Sequence, residues 1–183
     1  MATSQQRQQL AKKRRKEQQE KEKLRGTIVR HYSKPHWVEK ILSDGEIKLE
    51  GSNVTKAQPN YNALMLQYKL VGRYVWFTES SANSVVAQQR GLGLTSEDLP
   101  YFEFSADSIN ILRWTDIKKL LQGDALLFAK WLEDGARANG DDPNKWWVSK
   151  RAVSLDKVLR IVKGTDLADK MMNPYETIFK VES

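Results

Sequence analysis

The sequence predicts an α+β domain with a mixed or split β-sheet flanked by helices, preceded by a basic helical or disordered arm. Short segments rich in β-branched and aromatic residues, such as 27–32 and 73–78, indicate strands. Segments with apolar residues at helical spacing, such as 35–42 and 124–132, indicate helices. Strands and helices alternate early and strands cluster late, an order that favours α+β over a doubly wound fold.

The positive charge lies mostly in the first 25 residues. The whole chain of 183 residues has 30 Lys+Arg and 23 Asp+Glu, a net charge of +7. Residues 1–25 hold nine bases and three acids (+6), which leaves +1 for the remaining 158 residues. The arm is rich in helix-forming residues but lacks an apolar stripe that could pack on a core. We therefore predict an arm over 1–26 and a single α+β domain over 27–183.

A run of five consecutive bases in the arm indicates an acidic partner. The run consists of Lys12, Lys13, Arg14, Arg15 and Lys16. Such a cluster attracts phosphates or acidic protein surfaces with little sequence preference. The predicted partner of residues 7–25 is nucleic acid or an acidic protein, and the alternative is that the arm is a solubilising tail.

The elements of the first half are each predicted from a local pattern. Pro35 suits the first turn of a helix, and Ser43-Asp44-Gly45 ends that helix. In order, we predict a strand (27–32), a helix (35–42), a short strand (46–49), a loop (50–60), a helix or irregular segment (61–70) and the clearest strand of the chain (73–78).

In the second half, Thr115-Asp116 resembles a helix cap, and Trp131 has the apolar spacing of a core residue. Trp146 and Trp147 are adjacent in a strand and so point to opposite faces, which predicts one in the core and the other facing solvent or a ligand. The other predicted elements are a helix (82–89), strands (101–104, 109–113), a loop (135–144), strands (146–148, 157–162), a helical turn (170–172) and a last strand (177–181).

Several classes of protein are excluded by composition. Cysteine is absent and His31 and His36 are the only histidines, which excludes disulfides, thiolate zinc sites, a cysteine nucleophile and a His-rich metal site. No glycine-rich turn matches a dinucleotide fingerprint or a P-loop. No apolar segment approaches the ~20 residues of a membrane span, and the basic start lacks the apolar core of a secretory signal. We therefore expect no membrane contact and a cytoplasmic location, or the host cytoplasm for a viral protein.

Two strand ends carry candidate functional residues. His31 and Tyr32 end the first strand, where a histidine could bond a ribose or act as a base near neutral pH; the alternative is a half-buried surface histidine. Thr78 and Glu79 end the strand 73–78, where a carboxylate could stabilise positive charge; the alternative is that both cap the following helix.

These segments together resemble a known family. The His31-Tyr32 pair, the Ile-Leu-Ser-Asp-Gly sequence at 41–45 and the Val-Trp-Phe-Thr-Glu sequence at 75–79 look like the N-terminal half of the ADP-ribosyltransferase-like fold. That fold is shared by DNA-targeting toxin ADP-ribosyltransferases and RNA 2′-phosphotransferases. The resemblance covers about 50 residues, 28–79, and implies a cleft that binds NAD as a substrate.

The resemblance also implies roles for individual residues. His31 would contact a ribose, the strand that ends at Thr78 would border the nicotinamide, and an arginine would bind the diphosphate. The implied NAD-binding residues are His31, Tyr32, Arg73, Trp76 and Thr78, with Arg30 and Arg90 as other diphosphate candidates. The resemblance also implies a carboxylate beside the ribose carbon, and the candidate catalytic residues are Glu79 and Glu176. The family usually supplies its catalytic glutamate from a late strand, where the acids outside helices are Glu103, Glu176 and Glu182.

Three functions follow from these patterns. The first is an NAD-dependent ADP-ribosyltransferase that modifies a protein or nucleic-acid acceptor. The late strands 146–149 and 157–162 contain no glutamate, so the second is a noncatalytic interaction or inhibitor protein of bacterial or viral origin. The third is a nucleic-acid-binding module that acts through the arm. The oligomeric state is left open by the sequence.

Overall fold

The structure is a computed structural model of the whole chain. It describes residues 4–50, 61–80, 94 and 97–168. Some predictions lie outside these residues: the loop over 51–60, the helix 82–89, the turn 170–172, the strand 177–181, Arg90 and Glu176.

The described elements alternate between helices and short strands. The helices are α1 (Ser4–Leu24), α2 (Pro35–Asp44), α3 (Tyr61–Val71), α4 (Trp114–Lys118) and α5 (Gly123–Ala138), with 3-10 turns at Pro143–Lys145 and Leu155–Lys157. The strands are β1 (Ile28–Tyr32), β2 (Glu46–Ile47), β3 (Val75–Thr78), β4 (Tyr101–Ser105), β5 (Leu112–Arg113), β6 (Trp146–Ser149), β7 (Val153–Ser154) and β8 (Val158–Val162).

The strands form an open six-stranded sheet with the order β5-β6-β3-β1-β4-β8, and β2 pairs separately with β7. Each pairing between described strands is antiparallel. The predicted α+β class, with a sheet flanked by helices and a helix at the N-terminus, is confirmed. The strands β1 and β3, which carry two of the three segments of the family resemblance, are neighbours in this sheet.

Both faces of the sheet are covered by apolar side chains. One face carries Phe77, Phe102 and Phe104, which pack with Val38 of α2 and Ile47 of β2. The other face carries a second cluster that packs on the helices α3, α4 and α5; its buried members are Val71, Tyr74, Trp114, Ile117, Ala129, Ala136, Trp146 and Val148. We call these the α2 face and the α5 face. Because strand residues alternate between faces, neighbouring residues on one strand belong to different clusters.

The arm is helical from Ser4 to Leu24, which selects the helical alternative over the disordered one for these residues. Each described side chain of α1 before Leu24 is exposed. Leu24 packs against the α2-face cluster and anchors the end of the helix. The exposure agrees with the lack of an apolar stripe in the sequence.

The second half of the structure corrects four predictions. The strand over 109–113 is reduced to Leu112–Arg113, and α4 begins at Trp114, so that Thr115 lies within the helix and is not its cap. The helix α5 continues into the predicted loop as far as Ala138, because Glu133 and Ala136 are buried against the sheet. Trp131 is 68% exposed, contrary to the prediction that it lies in the core.

Gly164, near the end of the described part of the domain, allows a prediction about stability. Gly164 has a φ of +81°, and an added Cβ would lie 2.7 Å from the carbonyl oxygen of Asp98. We expect Gly164→Ala to destabilise the protein by about 3 kcal/mol, because strain at positive φ adds to a clash with backbone. Denaturant unfolding measures this change.

Two other glycines are matched controls for that measurement. Gly45 also has a positive φ (+67°) but no atom near the added Cβ, so Gly45→Ala should cost less, about 1 kcal/mol. Gly135 lies within α5 with open space around it, so Gly135→Ala should stabilise by ~0.5–1 kcal/mol. An effect of Gly164→Ala no larger than that of Gly45→Ala would contradict the clash.

Candidate functional site

Three side chains from three strands meet where β3 ends. Trp147 Nε1 donates a hydrogen bond of 2.7 Å to Glu79 Oε1. Arg113 Nη1 lies 3.5 Å from the same oxygen. The Arg113 guanidinium also lies over the Trp147 ring, 4.2 Å from its centroid. We call Glu79, Arg113 and Trp147 the rim site.

The rim site is a product of strand register. Trp147 on β6 pairs with Phe77 on one side and with Arg113 of β5 on the other. Directly paired residues share a sheet face, so Phe77, Trp147 and Arg113 all lie on the α2 face. The Glu79 amide donates to the Lys145 carbonyl at 3.1 Å, which extends the β3–β6 ladder and fixes the backbone that carries the carboxylate.

Exposure separates the roles of the three residues. Trp147 is 2% exposed, so its indole belongs to the core and holds Glu79 through a single hydrogen bond. The side chains of Glu79 and Arg113 are 29% and 43% exposed. The carboxylate and the guanidinium can therefore both meet a ligand, and the second carboxylate oxygen faces no partner that the structure records among the described residues.

His31 lies on the same face as the rim site, one strand further in. Its ring packs against Phe77 and Phe102, with centroid separations of 5.9 and 6.5 Å. Its Nδ1 lies 2.9 Å from the Trp76 carbonyl oxygen. A carbonyl only accepts, so Nδ1 carries the proton of the neutral ring. Burial lowers the pKa of His31, which keeps the ring neutral at physiological pH.

Three other predicted NAD-binding residues lie on the opposite face. Tyr32 follows His31 on β1, and its ring contacts that of Tyr101 at 5.4 Å. Trp76 packs against the α5-face cluster. Thr78 pairs with Arg30 across β1 and β3, and its Oγ1 accepts a hydrogen bond of 3.0 Å from the Ser80 amide. The pleat therefore divides the predicted NAD-binding residues between two faces.

The predicted diphosphate arginines are bound elsewhere. Arg73 lies over the Tyr68 ring, 5.1 Å from its centroid. Arg30 Nε donates to Glu103 Oε2 at 2.9 Å. Arg113 is the arginine at the rim site, and sequence reasoning missed it because its position depends on the pairing of β5 with β6.

A half-buried carboxylate near Trp76 was also not predicted from the sequence. Glu50 Oε2 accepts hydrogen bonds from Trp76 Nε1 at 2.9 Å and Gln67 Nε2 at 3.2 Å. Burial raises the pKa of Glu50, and the bond from Trp76 opposes this in part. Glu50 directly follows the predicted short strand 46–49 but belongs to no motif, so the sequence did not predict its contact with Trp76.

Both residues of the tryptophan pair are buried, contrary to the prediction that one of them faces solvent or a ligand. Trp146 Nε1 donates to Asp141 Oδ2 at 3.0 Å on the α5 face. Trp147 bonds to Glu79 on the α2 face. Because helices and loops cover both faces of β6, alternation alone did not predict exposure.

The predicted nucleic-acid-binding residues all lie on α1. Lys12, Lys13, Arg14, Arg15 and Lys16 are all exposed on this helix. They do not contribute to the rim site. The acidic or nucleic partner predicted for residues 7–25 would therefore meet a separate surface.

No protein-family model, curated protein or solved structure matches this chain. Among the described residues, no helix combines the length and apolarity needed to cross a membrane. The same residues contain no cluster of three or more side chains suited to hold a metal ion. At the rim site, a partly exposed carboxylate, an arginine and a fixed hydrogen-bond donor lie together.

Proposed function

We propose that the protein is an NAD-dependent ADP-ribosyltransferase whose reaction takes place at the rim site. One observation carries the proposal: a partly exposed carboxylate and an exposed guanidinium meet on the sheet face that also holds His31. The resemblance of residues 28–79 to the ADP-ribosyltransferase-like fold supplies the substrate class. The adjacency of β1 and β3 supports it, because two of the three segments of the resemblance lie side by side.

The proposed reaction breaks the bond between nicotinamide and the ribose of NAD. Nicotinamide leaves with the bonding electrons, and positive charge develops at the ribose carbon. The Glu79 carboxylate stabilises that charge. An acceptor nucleophile then bonds to the same carbon and passes its proton to Glu79, and the proton is released to water.

The other residues of the face position these groups. Arg113 offers the planar donors that suit a diphosphate. The indole N–H of Trp147 occupies Glu79 Oε1 and leaves Oε2 for the substrate. His31 is a positioning residue, since its Nδ1 bonds the backbone of β3 and its ring packs in the core.

The direct experiment is incubation of the full chain with NAD and chromatographic measurement of free nicotinamide. It is run with no acceptor, with a protein mixture and with RNA or DNA oligonucleotides. Release of nicotinamide in any of these supports the proposal, and the condition with the fastest release identifies the acceptor class. Release at the uncatalysed rate in all of them would contradict it and favour the noncatalytic alternative.

A second function is supported by α1, which we propose binds nucleic acid. The observation is that its bases are exposed on a helix that buries almost nothing. A helix with this charge attracts the phosphate backbone and displaces its counterions, without reading sequence. The two functions are compatible, since α1 could hold a nucleic acid near the domain.

Replacing the five bases at 12–16 by glutamine should weaken binding to single-stranded oligonucleotides by at least about tenfold. Glutamine keeps the helix propensity, so only charge is removed. The slope of log Kd against log salt should fall by up to about 3.5, or ~0.7 per lost phosphate contact. Fluorescence anisotropy over a salt series measures both. Gln18→Ala with Gln19→Ala is the control in the same helix, and equal binding by both variants would show that α1 is only a tail.

A further inference from the structure

A cavity of about 220 Å³ is lined by residues outside the rim site. It is bounded by the loop before β5, the turn between β6 and β7, and the 3-10 turn Leu155–Lys157. Its apolar lining consists of Ile109, Ala152 and Val153. Its polar lining consists of Ser108, Asn110, Ser149, Arg151, Ser154 and Lys157.

The lining favours an anion. It contains two cations, Arg151 and Lys157, together with hydroxyl and amide groups, and no acidic residue. The acids nearest in sequence are Asp107, which accepts a hydrogen bond from Ser105, and Asp156; neither lines the cavity. Arginine, lysine and hydroxyl donors are the groups that bind phosphate oxygens in proteins.

Both cations stand on turns that are fixed by serine side chains. Ser149 Oγ donates to the Arg151 carbonyl at 2.8 Å and accepts from the Arg151 amide at 3.2 Å. Ser154 Oγ accepts from the Asp156 amide at 3.2 Å and caps the 3-10 turn that carries Lys157. The backbone that presents the charges is thus held in place before any ligand binds.

The cavity lining is also connected to the C-terminal end of the basic helix α1. The Ala106 amide donates to the Thr27 carbonyl at 2.9 Å, two residues before Ser108 of the cavity lining. Leu24, the last residue of α1, packs against the core cluster that also contains Val153 of the cavity lining. The segment 106–108 thus joins the cavity lining to the residues that follow α1.

We propose that the cavity binds a backbone phosphate of a nucleic acid strand whose neighbouring phosphates lie along α1. The volume suits a phosphate group with bridging water and is smaller than the ~300–1,000 Å³ typical of sites for drug-sized ligands. This inference rests on the nucleic-acid binding proposed for α1 and is independent of NAD transfer.

The test compares two double variants of the full chain in binding to a single-stranded oligonucleotide. Arg151→Ala with Lys157→Ala removes both positive charges from the cavity lining. Lys130→Ala with Arg160→Ala removes the same charge from exposed sites on α5 and β8. We expect the cavity variant to bind about tenfold more weakly, with a salt slope reduced by about 1.4, and the control to bind within about twofold of the wild type. Equal affinities of the two variants would overturn the proposal.

Inorganic phosphate provides a second measurement that separates the possible ligands. Amide NMR signals of Ser108 and Ser149 should shift when phosphate is added to the wild type and not to the cavity variant. Amide shifts on addition of phosphate, together with weakened oligonucleotide binding by the cavity variant, support the proposal. Phosphate shifts with unchanged oligonucleotide binding would overturn it in favour of a free phosphate or a small phosphate ester. Because nicotinamide release is not measured, neither result bears on the NAD proposal.

Discussion

We expect Glu79→Gln to lower the rate of nicotinamide release from NAD by about 10²–10³-fold. The amide oxygen of glutamine can still accept the hydrogen bond from Trp147 Nε1, which is 2.7 Å long in the wild type. The change therefore removes the negative charge and leaves the shape of the rim site. KM should change little, because the charge is needed mainly when the ribose carbon becomes positive.

Glu39→Gln is the matched control for this variant. Glu39 is 79% exposed and lies 3.4 Å from Lys163 on the surface. The same chemical change there should leave nicotinamide release unchanged. If Glu79→Gln retained the wild-type rate, the carboxylate of the rim site would have no role in the reaction.

We expect Glu133→Ala to destabilise the fold by about 3–5 kcal/mol. Glu133 is a buried carboxylate on the inner side of α5. It accepts hydrogen bonds from Trp114 Nε1 at 2.9 Å, Lys118 Nζ at 2.8 Å and Arg137 Nη2 at 2.9 Å. Its removal leaves a buried indole N–H and two cations without their shared acceptor, in addition to a cavity.

Denaturant unfolding measures this effect, with Asp134→Asn as the control. Asp134 is the next residue on α5, is 75% exposed and also contacts Arg137, at 3.1 Å. The control should change stability by less than about 0.5 kcal/mol, because exposed ion pairs contribute little. Similar effects of the two variants would contradict a central role for Glu133.

The stability supplied by Glu133 should also depend on pH. Burial by itself raises the pKa of Glu133, but the hydrogen bonds from Lys118, Arg137 and Trp114 outweigh it and lower the pKa below the ordinary value of 4.5. Since the folded pKa lies below the unfolded one, the contribution is full above the unfolded value and is lost as pH falls through the folded value. The stability difference between wild type and Glu133→Gln should therefore shrink in acid.

Local patterns predicted most of the strands and the first helix. Residues 28–32 and 75–78 form strands because their β-branched and aromatic side chains fill the two clusters. Gly45 ends α2 in the left-handed conformation that its position in Ser43-Asp44-Gly45 predicts. These features depend on a few neighbouring residues, which is why the sequence alone indicates them.

Features that depend on distant contacts were missed. Trp131 has the spacing of a core residue, but Ala129 and Glu133 face the sheet and turn Trp131 toward solvent. Arg113 reaches Glu79 only because β5 pairs with β6, which lies more than 30 residues later in the chain. Consecutive strand residues point to opposite faces. The sequence alone could therefore have predicted that His31 and Tyr32 lie on different faces of the sheet.

The binding of NAD at the rim site is tested most directly by NMR of the tryptophan indoles. The Nε1 signal of Trp147 is identified by its loss in Trp147→Phe, and NAD is then added to the wild type. We predict a saturable shift of the Trp147 signal, because its N–H bonds the carboxylate that meets the substrate, and no shift for Trp131 on the far helix. No saturable shift, or a shift confined to Trp76 and the opposite face, would contradict the proposed site.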